Sequence, residues 1–404
     1  MKGIFLFCEG RDMKANKIPF NKPYMTTRLM HSASRHAWSS ALMSEALLTE
    51  MEQTFRINAK IRDEKALFFT NSATQALEIM ALALELEKGD EIIMPSYTYA
   101  ATANAFARVG AVPVFADLDL STMNISVDTI EPLLSSRTKA IVPIHYGGIS
   151  ADLTMLTDLC LQGGYTLLED AAHGLGASYE GKPLGTIGNF GCLSFHHTKN
   201  ITAAGNGGVL ILDKKHPKVH VVEQIMHQGT DRVSFLRGES TEYSWQRLGG
   251  EFMMSSFNMA YLESAVKDLD VVTIKRRQLW ERYQTMFTEQ LETYISGGHI
   301  ILPKIIEGAE TNGHIYFLIT KDRSQRDALK HKLNQLGIEA YSHYEPLHRS
   351  TAGARFGQTR TEMSATEKAG EGLIRLPMFY DLTFEEQDYI IEAVVQHYKS
   401  EVDL

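Results

Sequence analysis

The chain of 404 residues, 44% hydrophobic and 22% charged, has an ordinary globular composition and the length for two or three domains, or one large domain with a smaller appendage. Its formal net charge of −9 argues against a nucleic-acid binder that works by neutralising phosphates, and no block of like charge marks an interaction tail. Cys8, Cys160 and Cys192 stand far apart without C-x-x-C spacing, which points to a reducing compartment and away from a structural zinc site.

At the N-terminus, Gly3-Ile-Phe-Leu-Phe-Cys8 is too short for a secretory signal and is followed at once by charge. No run approaches the roughly 18 apolar residues of a membrane span, so a cytoplasmic protein is expected. Met13-Lys-Ala-Asn-Lys-Ile-Pro reads as a natural beginning, which makes 1–17 an expected extension.

Apolar spacing at Leu42, Leu47, Leu48, Met51 and Phe55 predicts a helix over 39–62. A strand over 65–69 then ends in Thr70-Asn-Ser-Ala-Thr74, small polar residues that cap a helix over 75–86. The pattern repeats. Strands are expected over 91–94, 112–115, 140–143 and 166–169, with helices over 100–109, 126–134 and 151–162 between them. Two further strands follow, over 191–195 and 208–212. Such alternation implies a mostly parallel α/β sheet with helices on both faces. Beyond residue 255 a long helical stretch over 255–293 leads to strands over 315–319 and 338–341 and helices over 326–336 and 384–399. The expected division is therefore a large cofactor-binding domain, 18–265, and a small C-terminal α+β domain, 266–404.

The chemistry concentrates around Lys199, which lies 29 residues after Asp170. Pyridoxal 5′-phosphate (PLP) needs a lysine amine for its aldehyde, a carboxylate to keep its ring nitrogen protonated, and donors for its phosphate. Asn71-Ser-Ala-Thr74 opens a predicted helix, where free amides and the helix dipole favour an anion; it serves equally as a plain N-cap. Ser194, five residues before Lys199, is a second candidate donor to the phosphate. Asp170 follows an apolar run at the end of a parallel strand, where open α/β sheets bind ligands, and Glu169 alternates to the other face. Lys199 sits between an apolar strand and the flexible Ala203-Ala-Gly-Asn-Gly-Gly208, although most lysines are solvated surface residues. Tyr99 stands past another strand end, placed to stack on a flat ring or to pack in the core. His173, three residues after Asp170, is a candidate to hydrogen-bond the cofactor's phenolic oxygen, although a lone histidine is more often structural.

Ser72-Ala-Thr74, Pro95-Ser-Tyr-Thr-Tyr99, Glu169-Asp-Ala-Ala-His173, Gly185-Thr-x-Gly-x-x-Gly191 and Ser194-Phe-His-x-Thr-Lys-Asn200 occur in order. With this set the chain closely resembles the DegT/DnrJ/EryC1/StrS sugar-nucleotide aminotransferases, from about residue 18 to the C-terminus. Thr122-Met-Asn-Ile125, Pro143-Ile-His-Tyr-Gly147, Tyr243-Ser-Trp245, Pro346-Leu-His348 and Ala352-Gly-Ala-Arg-Phe-Gly357 resemble the members that make TDP-4-amino-4,6-dideoxygalactose. The resemblance implies an aspartate-aminotransferase-type fold (fold type I) and a homodimer with active sites at the interface. It implies Lys199 as Schiff-base lysine and proton shuttle, Asp170 on the ring nitrogen, Tyr99 on the ring face and His173 beside the ring hydroxyl. Ser72, Ala73, Thr74 and Ser194 would hold the phosphate. The implied reaction moves an amino group from L-glutamate to a 4-keto-6-deoxy sugar nucleotide for surface-polysaccharide synthesis.

Some members of the group carry histidine in place of this lysine and act as dehydratases; Lys199 favours amino transfer, and His197 is not at that position. Three departures stand out: Glu251 in Gly249-Gly-Glu-Phe-Met-Met254, where many members have asparagine; Asn206 in Gly205-Asn-Gly-Gly208, where they have glutamate; and Ser256-Phe-Asn258, where they have acid-x-Gln. A PLP-dependent deoxysugar dehydratase and a non-catalytic PLP-binding regulator are the alternative functions. For the substrate's diphosphate and the donor's carboxylate, Arg232, Arg237 and Arg247 around Tyr243, together with His343 and Tyr344, are the candidates; a solvated loop would carry the same residues.

Overall fold

Short apolar runs between glycine, proline and asparagine punctuation extend as strands in the computed structural model, which describes residues 17–39 and 45–401. In chain order these are β1 (Lys65–Thr70), β2 (Glu91–Pro95), β3 (Val112–Ala116), β4 (Thr138–Ile141), β5 (Thr166–Asp170), β6 (Ser178–Tyr179), β7 (Lys182–Pro183), β8 (Phe190–Ser194) and β9 (Gly208–Asp213). Apart from the β6–β7 hairpin they form one sheet in the order β1-β9-β8-β5-β4-β2-β3, extended at its edge by Gln358–Thr359. Only β9 runs against its neighbours; the pairs β8–β5, β5–β4, β4–β2 and β2–β3 are parallel.

Helices cover both faces, so alternate side chains of each strand enter two different cores. Ile93, Ile141, Leu167, Leu193 and Ile211 meet Met51, Phe55 and the helix Ser256–Val266 on one side. Ile92, Ala140, Leu168, Cys192 and Leu210 meet Ala76, Leu77 and Met80 of the helix Ala73–Ala83 on the other. The helix expected over 39–62 appears as Glu45–Ala59, preceded by Thr27–Ser39. Leu42, the side chains of Leu47 and Leu48, and the expected extension apart from Lys17 lie outside the described residues.

Three expectations are corrected. The helix over 126–134 shrinks to an α-turn, Val127–Ile130, and a 3-10 turn, Glu131–Leu133. Pro132 has no N–H to continue the ladder. The stretch over 255–293 is three helices, Ser256–Val266, Leu269–Gln290 and Glu292–Ser296. The strand over 338–341 forms only isolated bridges, Ile338 to Ile18 and Tyr341 to Arg375, because the chain then swings away to carry His343 and Tyr344 to the cavity described below.

In the C-terminal part, the antiparallel strands Ile300–Ile301, Tyr316–Thr320 and Leu373–Leu376 pack against helices Leu269–Gln290, Arg323–Gln335 and Phe384–Glu401. The helix Leu269–Gln290 buries Val272, Arg276, Leu279, Trp280, Tyr283 and Phe287, a stripe at helical spacing. Several connections cross the 265/266 division; among them, Gln358–Thr359 pairs with β3, Ala309–Glu310 pairs with β6, and Ile18 sits in the C-terminal core. Among the described residues no helix is long and apolar enough to cross a membrane.

Candidate active site

The parallel strands β1, β2, β5 and β8 deliver their C-terminal ends to one edge of the sheet, the edge at which such sheets bind ligands. A cavity of about 720 Å³ opens there. Ser72, Ala73, Thr74 and Tyr99 line it from the loops after β1 and β2; Asp170, His173, Ser194 and Lys199 line it from the ends of β5 and β8. His343 and Tyr344 close it from the C-terminal part.

One end of the cavity suits an anion. The Ser72 hydroxyl caps the helix Ala73–Ala83 by accepting from the Gln75 N–H at 3.2 Å. First-turn amides such as those of Ala73 and Thr74 have no acceptor within their own helix, and the dipole adds positive potential. Ser194 pairs with Gly208 across β8 and β9, beside this helix start. Gly208 has to be glycine, since a Cβ there would stand 2.4 Å from the Ala73 nitrogen.

At the other end, Asp170 is 5% exposed and its carboxylate is held in place. Thr102 Oγ1 donates to Oδ2 at 2.7 Å and the Ala172 N–H donates to Oδ1 at 3.1 Å. Glu169 alternates to the opposite face, as its position in the strand requires, and is fully buried. It accepts from the N–H groups of Gly185, Ile187 and Gly188 at 2.7, 2.6 and 2.6 Å and lies 3.0 Å from His145 Nε2. Burial pushes its pKa up, but His145 and the amide donors more than offset this and hold it below the usual range. Glu169 thus braces the loop over 185–188. Glu169→Gln turns a donor, the side-chain NH2, toward a backbone N–H donor in either amide orientation and should cost about 3 kcal/mol of stability in denaturant titration.

Between these ends Lys199 reaches the cavity from the turn after β8. Burial, reinforced by the Arg375 guanidinium and partly opposed by Asp170, lowers its amine to about 7. The His173 ring is held by the Gly147 N–H, which donates to Nδ1 at 3.2 Å. Its proton therefore sits on Nε2. Burial, with Lys199 and Arg375 nearby, keeps the ring neutral.

Arg375 is a residue that sequence reasoning missed. It lines the cavity from the strand Leu373–Leu376, with a cation–π contact to Phe20 at 5.0 Å and His343 Nδ1 at 3.3 Å. Its buried Nε has no hydrogen-bond partner, and it forms no carboxylate ion pair among the described residues. A charged residue inside an otherwise apolar short strand was the signal available. Thr102 and His314 were also missed, and neither carried a local signal.

Arg232, Arg237 and Tyr243 do not line this cavity. Arg237 pairs with Glu223 at 2.6 Å, Arg247 with Glu85 at 2.7 Å, and Tyr243 packs against Phe235 on an exposed segment. Asn206 lines the cavity without charge, whereas Glu251 is exposed and hydrogen-bonded by Gln228 at 3.4 Å.

The model of the DegT/DnrJ/EryC1/StrS aminotransferase family matches residues 30–395. The chain belongs to this family. A pleiotropic regulatory protein of Geobacillus stearothermophilus is 31% identical over 81% of this chain and 84% of its own length. A protein of Streptococcus pneumoniae assigned as a sugar aminotransferase, in its PLP form, superposes with a TM-score of 0.84 at 25% identity, covering 96% of this chain and 100% of that one. Helicobacter pylori PseC, an aminotransferase of pseudoaminic acid biosynthesis, shares the fold (TM-score 0.81, 22% identity, 95% and 100% covered).

The cofactor of this family member is PLP. The cavity fits it: a helix start closely approached by Gly208 for the phosphate, a fixed carboxylate for the ring nitrogen, and an amine lowered to about 7 for the aldehyde. Ser72, Ala73, Thr74 and Ser194 would hold the first of these groups, and Asp170 and Lys199 the other two.

Proposed function

We propose that the chain transfers the amino group of L-glutamate to a TDP-linked 4-keto-6-deoxy sugar, giving TDP-4-amino-4,6-dideoxygalactose, as a cytoplasmic homodimer. The observation that carries this reading is the meeting in one cavity of Lys199, the fixed Asp170 carboxylate and Arg375, which has no carboxylate partner among the described residues. The five ordered motifs support a sugar nucleotide as acceptor, and the further likeness of Thr122-Met-Asn-Ile125 and Pro346-Leu-His348 supports the TDP-linked sugar. The exposed Leu236, Tyr243, Trp245 and Leu248 support a second copy covering that segment, which would bring Arg232, Arg237 and Tyr243 to the partner's cavity.

When bound, PLP supplies an aldehyde to carry the amino group and a ring that draws electrons from the reacting carbon. The chain's own groups do the rest. Lys199, its amine lowered to about 7 and so available as a base near neutral pH, would take a proton from one carbon and return it to another. Asp170, held by Thr102 and the Ala172 amide, would keep a proton on the ring nitrogen. His173, with its Nε2 proton free, would donate a hydrogen bond to the cofactor's ring oxygen. Arg375 takes the donor's carboxylate, and Phe20, Leu376 and Met378 exclude water around it.

Absorbance of the purified protein before and after glutamate tests this reading, with mass spectrometry of the sugar product. The expected result is loss of the cofactor's aldehyde band and a product that has gained an amine. In Arg375→Met the glutamate concentration for half-conversion should rise about tenfold to a hundredfold, as expected for loss of a charged hydrogen bond. Loss of water from the sugar would support the dehydratase, and cofactor uptake without turnover would support the regulator, the sense of the Geobacillus relative's name. A protein that never takes up PLP overturns the proposal.

A further inference from the structure

The cavity wall holds two neutral histidines in opposite tautomers. The rings of His173 and His314 lie 4.6 Å apart, and both line the cavity. His173 has its Nδ1 occupied by a backbone donor and is left with a proton on Nε2. His314 is the reverse. Its Nδ1 lies 2.8 Å from Oδ1 of Asn200, and the Asn200 amide is oriented by its other end, where Nδ2 donates to the Asn312 carbonyl at 3.1 Å. Asn312 is itself locked: its Nδ2 donates to the carbonyls of His173 and Leu175 at 2.7 and 2.8 Å, and its Oδ1 accepts from the His314 N–H at 3.0 Å. An amide oxygen cannot donate, so the proton of the His314 ring sits on Nδ1. Nε2 keeps a lone pair and has no hydrogen-bond partner among the described residues.

The ring stays uncharged, because burial, the adjacent His173, Lys199, Arg276 and Arg375 all oppose protonation. A neutral lone pair recognises a donor and gives nothing to a carboxylate or phosphate. The other groups that suit charged parts of a substrate are already assigned: Arg375 to a carboxylate, the helix start to a phosphate, Asp170 to a ring nitrogen. A sugar brings hydroxyls. Asn200, which sets the His314 tautomer, directly follows Lys199, and His314 and Lys199 line the same cavity.

We propose that Nε2 of His314 accepts a hydrogen bond from a hydroxyl of the acceptor sugar close to the reacting carbonyl, and that this contact selects hydroxylated ketones over their deoxy analogues. The inference rests on the aminotransferase reading and adds a specificity-determining residue to it.

His314→Asn is the informative variant, since its side-chain amide can still donate to Asn200 while the Nε2 acceptor is lost. Two TDP-linked 4-ketones would be compared, with and without the hydroxyl next to the carbonyl. The ratio of their kcat/KM values cancels any loss common to both. The wild type should favour the hydroxylated ketone by about tenfold to a hundredfold, and His314→Asn should bring the ratio to within about threefold of unity. His314→Gln, with an amide oxygen near the place of Nε2, should recover part of the preference, which a merely structural role would not predict. A ratio unchanged in His314→Asn overturns the proposal. Histidine-selective ¹⁵N NMR reads the tautomer independently of any turnover: a proton on Nε2 of His314 overturns the inference even in an active enzyme. Absence of the glutamate-driven absorbance change would instead remove the aminotransferase reading.

Discussion

Lys199→Ala is expected to lower amino transfer by about ten-thousandfold or more, with the aldehyde band no longer responding to glutamate. The variant loses two roles at once, the amine that holds the aldehyde and the base that moves the proton, and a positioned acid–base group alone contributes up to about ten-thousandfold. Added small primary amines should restore a measurable fraction, because the cavity of about 720 Å³ gains room where the side chain stood. The wild-type pH profile should carry the same signature. Only the neutral amine can take a proton, so the rate of the donor half-reaction should rise through about pH 7 and level off above it. Removing the like charge of Arg375 stabilises the protonated amine, and Arg375→Met should therefore move that limb to higher pH. Stopped-flow absorbance across pH 5.5–9 measures both; a limb that stays in place on losing Arg375 would mean that the guanidinium does not act on Lys199.

Asp170→Asn carries the second large effect. The asparagine keeps the shape and can still bond Thr102 and the Ala172 amide, so the fold should persist. What disappears is the buried negative charge facing a ring nitrogen. Leaving the opposite charge unpaired in such a place costs about 3–5 kcal/mol, which corresponds to roughly a thousandfold in rate. Asp170→Glu, which retains the charge but displaces it, should fall between the two. Cofactor release on gel filtration together with single-turnover rates separates weakened binding from weakened chemistry. An Asp170→Asn protein with wild-type turnover would remove this carboxylate from the mechanism.

Much of this site was legible before any fold was known. Strand ends are marked by the change from apolar runs to small polar residues, and Ser72, Asp170, Ser194 and Lys199 each stand just beyond such a change. Period-2 alternation separated Asp170 from Glu169 correctly, because one residue of offset on a strand reverses the face. Local breaks were legible only in principle: Pro132 ends its α-turn for a covalent reason that helical spacing alone overlooked. The arginines around Tyr243 looked equivalent to any other cation in sequence, yet in the folded chain they stand away from the cavity, two of them on glutamate partners.

Read without the fold, the chain already carries the alternating α/β architecture and names Ser72, Asp170, Ser194 and Lys199, which the folded chain gathers around one cavity. Those properties follow from spacing along one strand or one turn, and from motifs of consecutive residues. Only the tertiary structure decided the electrostatics of the cavity. Arg375 comes to Lys199 across 176 positions of chain, and the His314 tautomer depends on Asn200 and Asn312 meeting across 112. Burial, like-charge proximity and the direction of a hydrogen bond belong to positions in space, and those exist only once the C-terminal strands close over the edge of the main sheet.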